Sequence, residues 1–288
     1  MIAVKRLASI LIPNGLWKWF RIRSILSAHK RTASICEDLI ENFDGSVEEL
    51  GVRPKKSFDS DKIIWQYWAQ GYDKLPDMVR KCLASVDEFA GNYKVIRLDD
   101  NNISEYLELP EFVISKREGY SVAHFSDLLR MLLLSTYGGV WLDATVMLSG
   151  QMPDYLETSD YFMFQRDNDE PDKDYWEDTY AYYFGWGKGF RVNVLNSVVF
   201  AQKDSIVIKT LAGLLLKWWK EHDSVPDYFF FQILYDVLIN GRLKEYKCPV
   251  VSDCPPHYLQ QSMNDKRFSL MPYDQIVASI PIHKLTYK

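Results

Sequence analysis

The strongest constraint on this chain is a junction. Residues 121–137 carry its clearest helical pattern, Gly138-Gly139 closes that helix, and Val140-Trp141-Leu142 resumes at once as a strand ending on Asp143. A short apolar strand fed through two glycines needs other strands beside it. Ile63-Ile64-Trp65-Gln66-Tyr67-Trp68 has the β-branched and aromatic density of a buried strand. A helix started by Pro76 and running through Phe89, then a strand at 93–98, complete a strand–helix–strand unit. Short helices are predicted over 101–118, strands at 160–166 and 196–201, and helices at 205–222 and 227–240. Such alternation without internal repeats predicts an α/β fold, a mixed sheet flanked by helices on both faces. Residues 167–192 have little periodicity and read as one long loop, a kind that is usually functional.

Along the 121–137 helix, His124, Asp127 and Arg130 recur every third position, while Val122, Phe125, Leu128, Leu129, Leu132, Leu133 and Leu134 form a broad apolar surface. One polar stripe therefore faces something other than core. It reads either as an exposed i,i+3 ion pair of Asp127 with Arg130, worth ~0.2–0.5 kcal/mol, or as a carboxylate and a guanidinium aimed into a site. The planar fork of arginine suits phosphate or sugar oxygens. Asp143 falls at the carboxyl end of its strand, where open α/β sheets bind ligands. A carboxylate there either caps the next turn or holds a divalent cation that bridges a diphosphate.

Charge divides the 288-residue chain unevenly. Residues 1–31 carry seven basic side chains (Lys5, Arg6, Lys18, Arg21, Arg23, Lys30, Arg31) and no acidic one, which leaves the remainder at a net charge of −12. An acidic body excludes the phosphate-neutralising chemistry of a nucleic-acid protein. The basic head interleaves its cations with Trp17, Trp19, Phe20, Ile22, Ile25 and Leu26, a mixture that suits an anionic membrane interface or, alternatively, a helix packed on the body. Residues 1–35 are therefore read as a basic, Trp-rich, membrane-proximal helical segment, 36–61 as an acidic, turn-rich connector, and 62–288 as the main domain. The apolar run at 7–12 stops at Pro13 without a convincing cleavage site, and no stretch reaches the ~18 apolar residues of a spanning helix. The expectation is a cytoplasmic protein, peripheral on the inner membrane face, with Cys36, Cys82, Cys248 and Cys254 as reduced thiols.

Ser126-Asp127-Leu128-Leu129-Arg130 followed by Gly138-Gly139-Val140-Trp141-Leu142-Asp143 resembles the S-D-x-x-R…G-G-x-[YW]-x-D signature of capsular polysaccharide synthesis proteins and of glycosyltransferases with a DXD sugar-binding motif, a group related to the yeast initiating mannosyltransferases and the large clostridial toxins. Residues 63–68 look like that group's first strand, and Ile282-His283-Lys284-Leu285 is similar to the I-H-K-L ending of the capsular branch. The resemblance implies a GT-A-type, Rossmann-like fold, a nucleotide-sugar donor (a UDP-sugar first among them), Mn²⁺ or Mg²⁺, and transfer to a hydroxyl with retention at the anomeric carbon. It implies a lipid-linked or growing surface glycan as acceptor. Carried over position by position, Trp68 sits by the base, with Gln66 and Gly139 also donor-binding. Asp127 and Arg130 bind the donor sugar, and Asp143, Thr145 and His283 form the metal shell. The second carboxylate of the motif is replaced here, Asp143-Ala144-Thr145, so metal affinity is expected to fall.

Other D-x-D strings, at 59–61, 167–169 and 172–174, lie in turn-like surroundings, and His29, His222 and His257 have no partner spacing. Asp227 before the 227–240 helix reads as a cap or as an acceptor-side carboxylate. Two rival functions stay open. One is a non-catalytic nucleotide-sugar or glycan-binding protein, and the other is a metal-dependent phosphotransferase.

Overall fold

The computed structural model describes residues 14–287; Lys5, Arg6 and the apolar run at 7–12 lie outside them. The chain runs α1 (Asn14–Glu41), β1 (Arg53–Pro54), β2 (Ile63–Tyr67), α2 (Asp77–Phe89), β3 (Lys94–Leu98), β4 (Leu107–Glu108), α3 (Glu111–Lys116), α4 (Val122–Tyr137) and β5 (Gly139–Leu142). It continues through β6 (Val146–Leu148), β7 (Tyr161–Gln165), α5 (Lys173–Thr179), β8 (Val194–Ala201), α6 (Ile206–Glu221), α7 (Phe230–Asn240), α8 (Tyr258–Asn264), α9 (Tyr273–Ser279) and β9 (Ile282–Lys284).

Five strands form the main sheet in the order β3-β2-β5-β8-β7. β2 is parallel to β3 and β5, whereas β8 is antiparallel to β5 and β7, so the sheet is mixed as expected. Strand alternation splits its side chains between two cores. Trp65, Trp141, Met163 and Val199 join one cluster with α1, α4, α6 and α7, and Ile64, Val140, Leu142, Val198 and Phe200 join a second with Val86 of α2. Both glycines of the opening junction are required by the backbone. Gly138 and Gly139 have φ of +71° and +99°, and a Cβ on Gly139 would stand 2.4 Å from the Ile63 carbonyl. Their absent side chains let β5 close onto β2.

Two expectations need correction. The stretch 167–192 contains the short helix α5, whose Trp176 is buried against Phe184 and Cys254. The connector expected over 36–61 is also part of the core. Helix α1 continues without a break to Glu41, and Cys36, Leu39, Ile40, Phe43, Val47 and Val52 are buried in the first cluster. The acidic and turn residues of this segment lie between those apolar anchors, so composition hid the packing stripe. The four cysteines are buried free thiols. Among the described residues no helix is long and apolar enough to cross a membrane.

Candidate active site

A cleft of about 620 Å³, within the range of small-ligand pockets, opens at the carboxyl ends of β2 and β5. Its floor is the cluster that the helix–Gly-Gly–strand junction brings together. Ser121 caps α4 by accepting from the His124 amide at 3.2 Å. Six and nine residues further along, Asp127 and Arg130 reach the end of β5, where Asp143 emerges.

Arg130 is almost completely buried, its side chain 3% exposed, and it organises both carboxylates. Its Nη1 donates to Asp127 Oδ1 at 2.7 Å and its Nη2 to Asp143 Oδ1 at 3.0 Å, while the guanidinium lies over the Trp141 ring at 4.9 Å. Asn196 of β8 donates to Asp127 Oδ1 at 2.7 Å, and Trp141 Nε1 donates to Asp143 Oδ1 at 2.8 Å. From the far end of the chain, Lys284 Nζ reaches Asp143 Oδ2 at 3.4 Å and also donates to Thr145 Oγ1. Burial pushes the Asp127 carboxyl above the usual carboxylate range despite Arg130. Burial would push Asp143 up as well, but Lys284 and Arg130 outweigh it and hold that carboxyl below its ordinary value. The two acids are thus driven apart, an arrangement typical of functional sites.

Of the residues read from the sequence, Trp68, Asp127, Arg130, Asp143 and Thr145 line this cleft. Trp68 meets Tyr287 edge-on, with ring centroids 5.2 Å apart, at its rim. Gln66 does not line it: the side chain is fully buried in the sheet and its Oε1 accepts from Arg97 Nε at 3.2 Å. Gly139 starts β5, at the strand end away from the cleft, where its role is the close approach to Ile63. Asp227 closes a turn before α7 by accepting from the Phe229 amide at 2.8 Å. Sequence reasoning passed over Asn196, Tyr228, His257 and Lys284, all of which line the cleft from distant elements. His257 is driven down to about 4 by burial, so its imidazole is neutral, and its Nε2 has no partner.

The donor set expected for a divalent cation is not assembled. His283 is fully buried and turned away from Asp143, with Nε2 2.9 Å from Ser149 Oγ. Because Ser149 Oγ also lies 3.0 Å from the Val277 and Ile280 carbonyls, its one proton goes to a carbonyl and His283 Nε2 donates to it. The reason is strand alternation: β9 pairs with β6 so that His283 and Lys284 face opposite sides, and the side facing Asp143 belongs to Lys284. Cations already engage both Asp143 oxygens, and Thr145 is held by Lys284. Among the described residues no three His, Cys, Asp or Glu side chains converge as ligands. A Mn²⁺ or Mg²⁺ ion takes one or two carboxylates besides waters and phosphates, and these residues do not fit it, because Asp143 has no free oxygen to offer.

Comparison with known proteins adds a family. Residues 18–288 match the sequence model of a family described as capsular polysaccharide synthesis protein. The chain is similar to O-glycosyltransferase braB of Annulohypoxylon truncatum, 33% identical over 106 residues, which is 33% of this chain and 25% of that one. It is similar to O-glycosyltransferase PaGT of Phomopsis amygdali, 28% identical over 110 residues, covering 34% of this chain and 27% of the relative. The aligned stretch thus spans about a quarter of each of these two relatives. Among solved structures, the PaToxG glycosyltransferase matches 77% of this chain and 86% of its own, at 12% identity and a TM-score of 0.38.

Proposed function

The chain belongs to the capsular polysaccharide synthesis protein family, and from that premise we propose that it is a GT-A-type glycosyltransferase moving a sugar from a nucleotide-sugar to a hydroxyl of a surface glycan. The carrying observation is the Asp127–Arg130–Asp143 cluster at the mouth of the parallel strands, with Trp68 at the rim of the same cleft. An aromatic face at the rim suits a nucleoside base, and buried carboxylates oriented by arginine suit sugar hydroxyls. In the reaction the bond between the anomeric carbon and the donor phosphate breaks, its electron pair remaining on the diphosphate. The acceptor oxygen bonds to that carbon, and its proton passes to the departing diphosphate.

Retention at the anomeric carbon is part of the proposal. Arg130 and Lys284 hold both oxygens of Asp143, and Asp127 keeps only Oδ2 outside its bonds to Arg130 and Asn196, so the cleft offers no wholly unpaired carboxylate as the base of an inverting displacement. An inverted product would point to His257, the cleft base whose Nε2 has no partner. A lipid-linked acceptor is supported by a second cavity of about 450 Å³ between α1 and Tyr182, which shares Tyr228 and Phe229 with the main cleft. Its other wall is the helix whose outer turns expose Trp17, Trp19 and Phe20. The test is transfer itself. The chain is incubated with nucleotide-sugars and glycan acceptors, and the product's mass and anomeric configuration are read by mass spectrometry and NMR.

A further inference from the structure

We propose that the Lys284 ammonium is a built-in cation for the donor's diphosphate, occupying the place at Asp143 and Thr145 that a divalent ion was expected to fill. The inference rests on the nucleotide-sugar reading and names what in this chain meets its phosphates.

Position is the first argument. β9 pairs with β6 in a fixed register, Val146 opposite Lys284, and the Leu285 amide donates to the Thr145 carbonyl at 3.0 Å. The backbone on both sides of Lys284 is therefore tied to the segment that carries Asp143 and Thr145. An ammonium has three donors. Asp143 Oδ2 and Thr145 Oγ1 take two, and the side chain borders the cleft, so the third is available to a ligand there.

Charge is the second argument. Two carboxylates around a divalent ion form a neutral group. Here Thr145 replaces one carboxylate and a monovalent ammonium stands beside the other, so the group is again neutral. Loss of the second acid, which alone would suggest a degraded site, is matched in charge by Lys284. The ammonium is also held where charge collects on a departing diphosphate, and a fixed cation there acts without needing to be bound from solution. His283 cannot take this part, since it is buried on the opposite side of β9 and paired with Ser149.

The test is isothermal titration of the full chain with uridine, thymidine, guanosine, cytidine and adenosine diphosphates, in EDTA and in MnCl₂. The wild-type chain is expected to bind one of them with a dissociation constant that agrees within about threefold between the two conditions. Lys284→Gln should weaken binding in EDTA by about tenfold or more, as expected for loss of a charge-assisted contact, and Lys284→Arg should stay within a few-fold of wild type. Wild-type binding at least tenfold weaker in EDTA overturns the proposal without any variant, because the diphosphate is then held through metal. Unchanged binding by a folded Lys284→Gln in EDTA overturns it while leaving the glycosyltransferase reading in place. Binding of no nucleoside diphosphate, uridine to adenosine, in either condition removes that reading and this inference together.

Discussion

Arg130 is the residue on which the site turns, because one buried guanidinium spans two carboxylates from different elements. Arg130→Lys is expected to lower kcat/KM for the donor at least about 100-fold, since a point ammonium cannot bond Asp127 and Asp143 together, and partial breakage of a buried ion network costs up to ~3–5 kcal/mol. Steady-state kinetics with a parallel thermal melt checks this; near-normal kinetics would reduce the cluster to a structural ion pair. The i,i+3 spacing and the strand-end aspartate made Asp127, Arg130 and Asp143 legible in the sequence. Lys284 was not legible, because a three-residue strand gives no sign of which of His283 and Lys284 faces the motif. Only its register with β6 decides that. Asn196 and His257 were hidden for a related reason: neither lies near the motif in sequence, and the fold alone brings them to the cleft.

At the scale of elements, the junction of α4 and β5 was readable because glycine chemistry is local, whereas the packing of residues 36–52 was not. Phe43 shows why. Its ring fills the space left by Gly213 on α6, where a Cβ would approach it to 2.4 Å. A glycine in the middle of a helix disfavours that helix in isolation, and its purpose becomes visible only with the partner in place. Phe43→Ala is expected to destabilise the fold by about 3 kcal/mol, the usual cost of emptying a buried aromatic site. Chemical denaturation measures it. A loss below about 0.5 kcal/mol, the range of surface changes, would return the segment to the role of a connector.

For the whole molecule, α1 serves two environments. Its later turns bury Ile25, His29, Ala33 and Cys36 in the body, while its first turns leave Leu16, Trp17, Trp19 and Phe20 exposed beside Arg21 and Arg23. Lys18 pairs with Asp178 and Arg23 lies 4.7 Å over the Trp19 ring. We propose that this end rests on an anionic membrane surface, which would hold a body of net charge −12 near a lipid-linked acceptor. Replacing Trp17, Trp19 and Phe20 by serine is expected to abolish co-sedimentation with anionic vesicles, and high salt to weaken it in the wild type. Equal binding by both chains would rule this surface out.

Product mass tests sugar transfer at the Asp127–Arg130–Asp143 cleft most directly. Wild-type chain, a panel of nucleotide-sugars and an oligosaccharide acceptor are expected to give an acceptor heavier by one sugar and one equivalent of nucleoside diphosphate. Asp143→Asn should cut that yield by at least about 100-fold, because its amide cannot orient Arg130 and Lys284. Donor binding without turnover would make the chain a binding protein, and an acceptor heavier by a sugar phosphate would make it a phosphotransferase; either result contradicts glycosyl transfer by this chain.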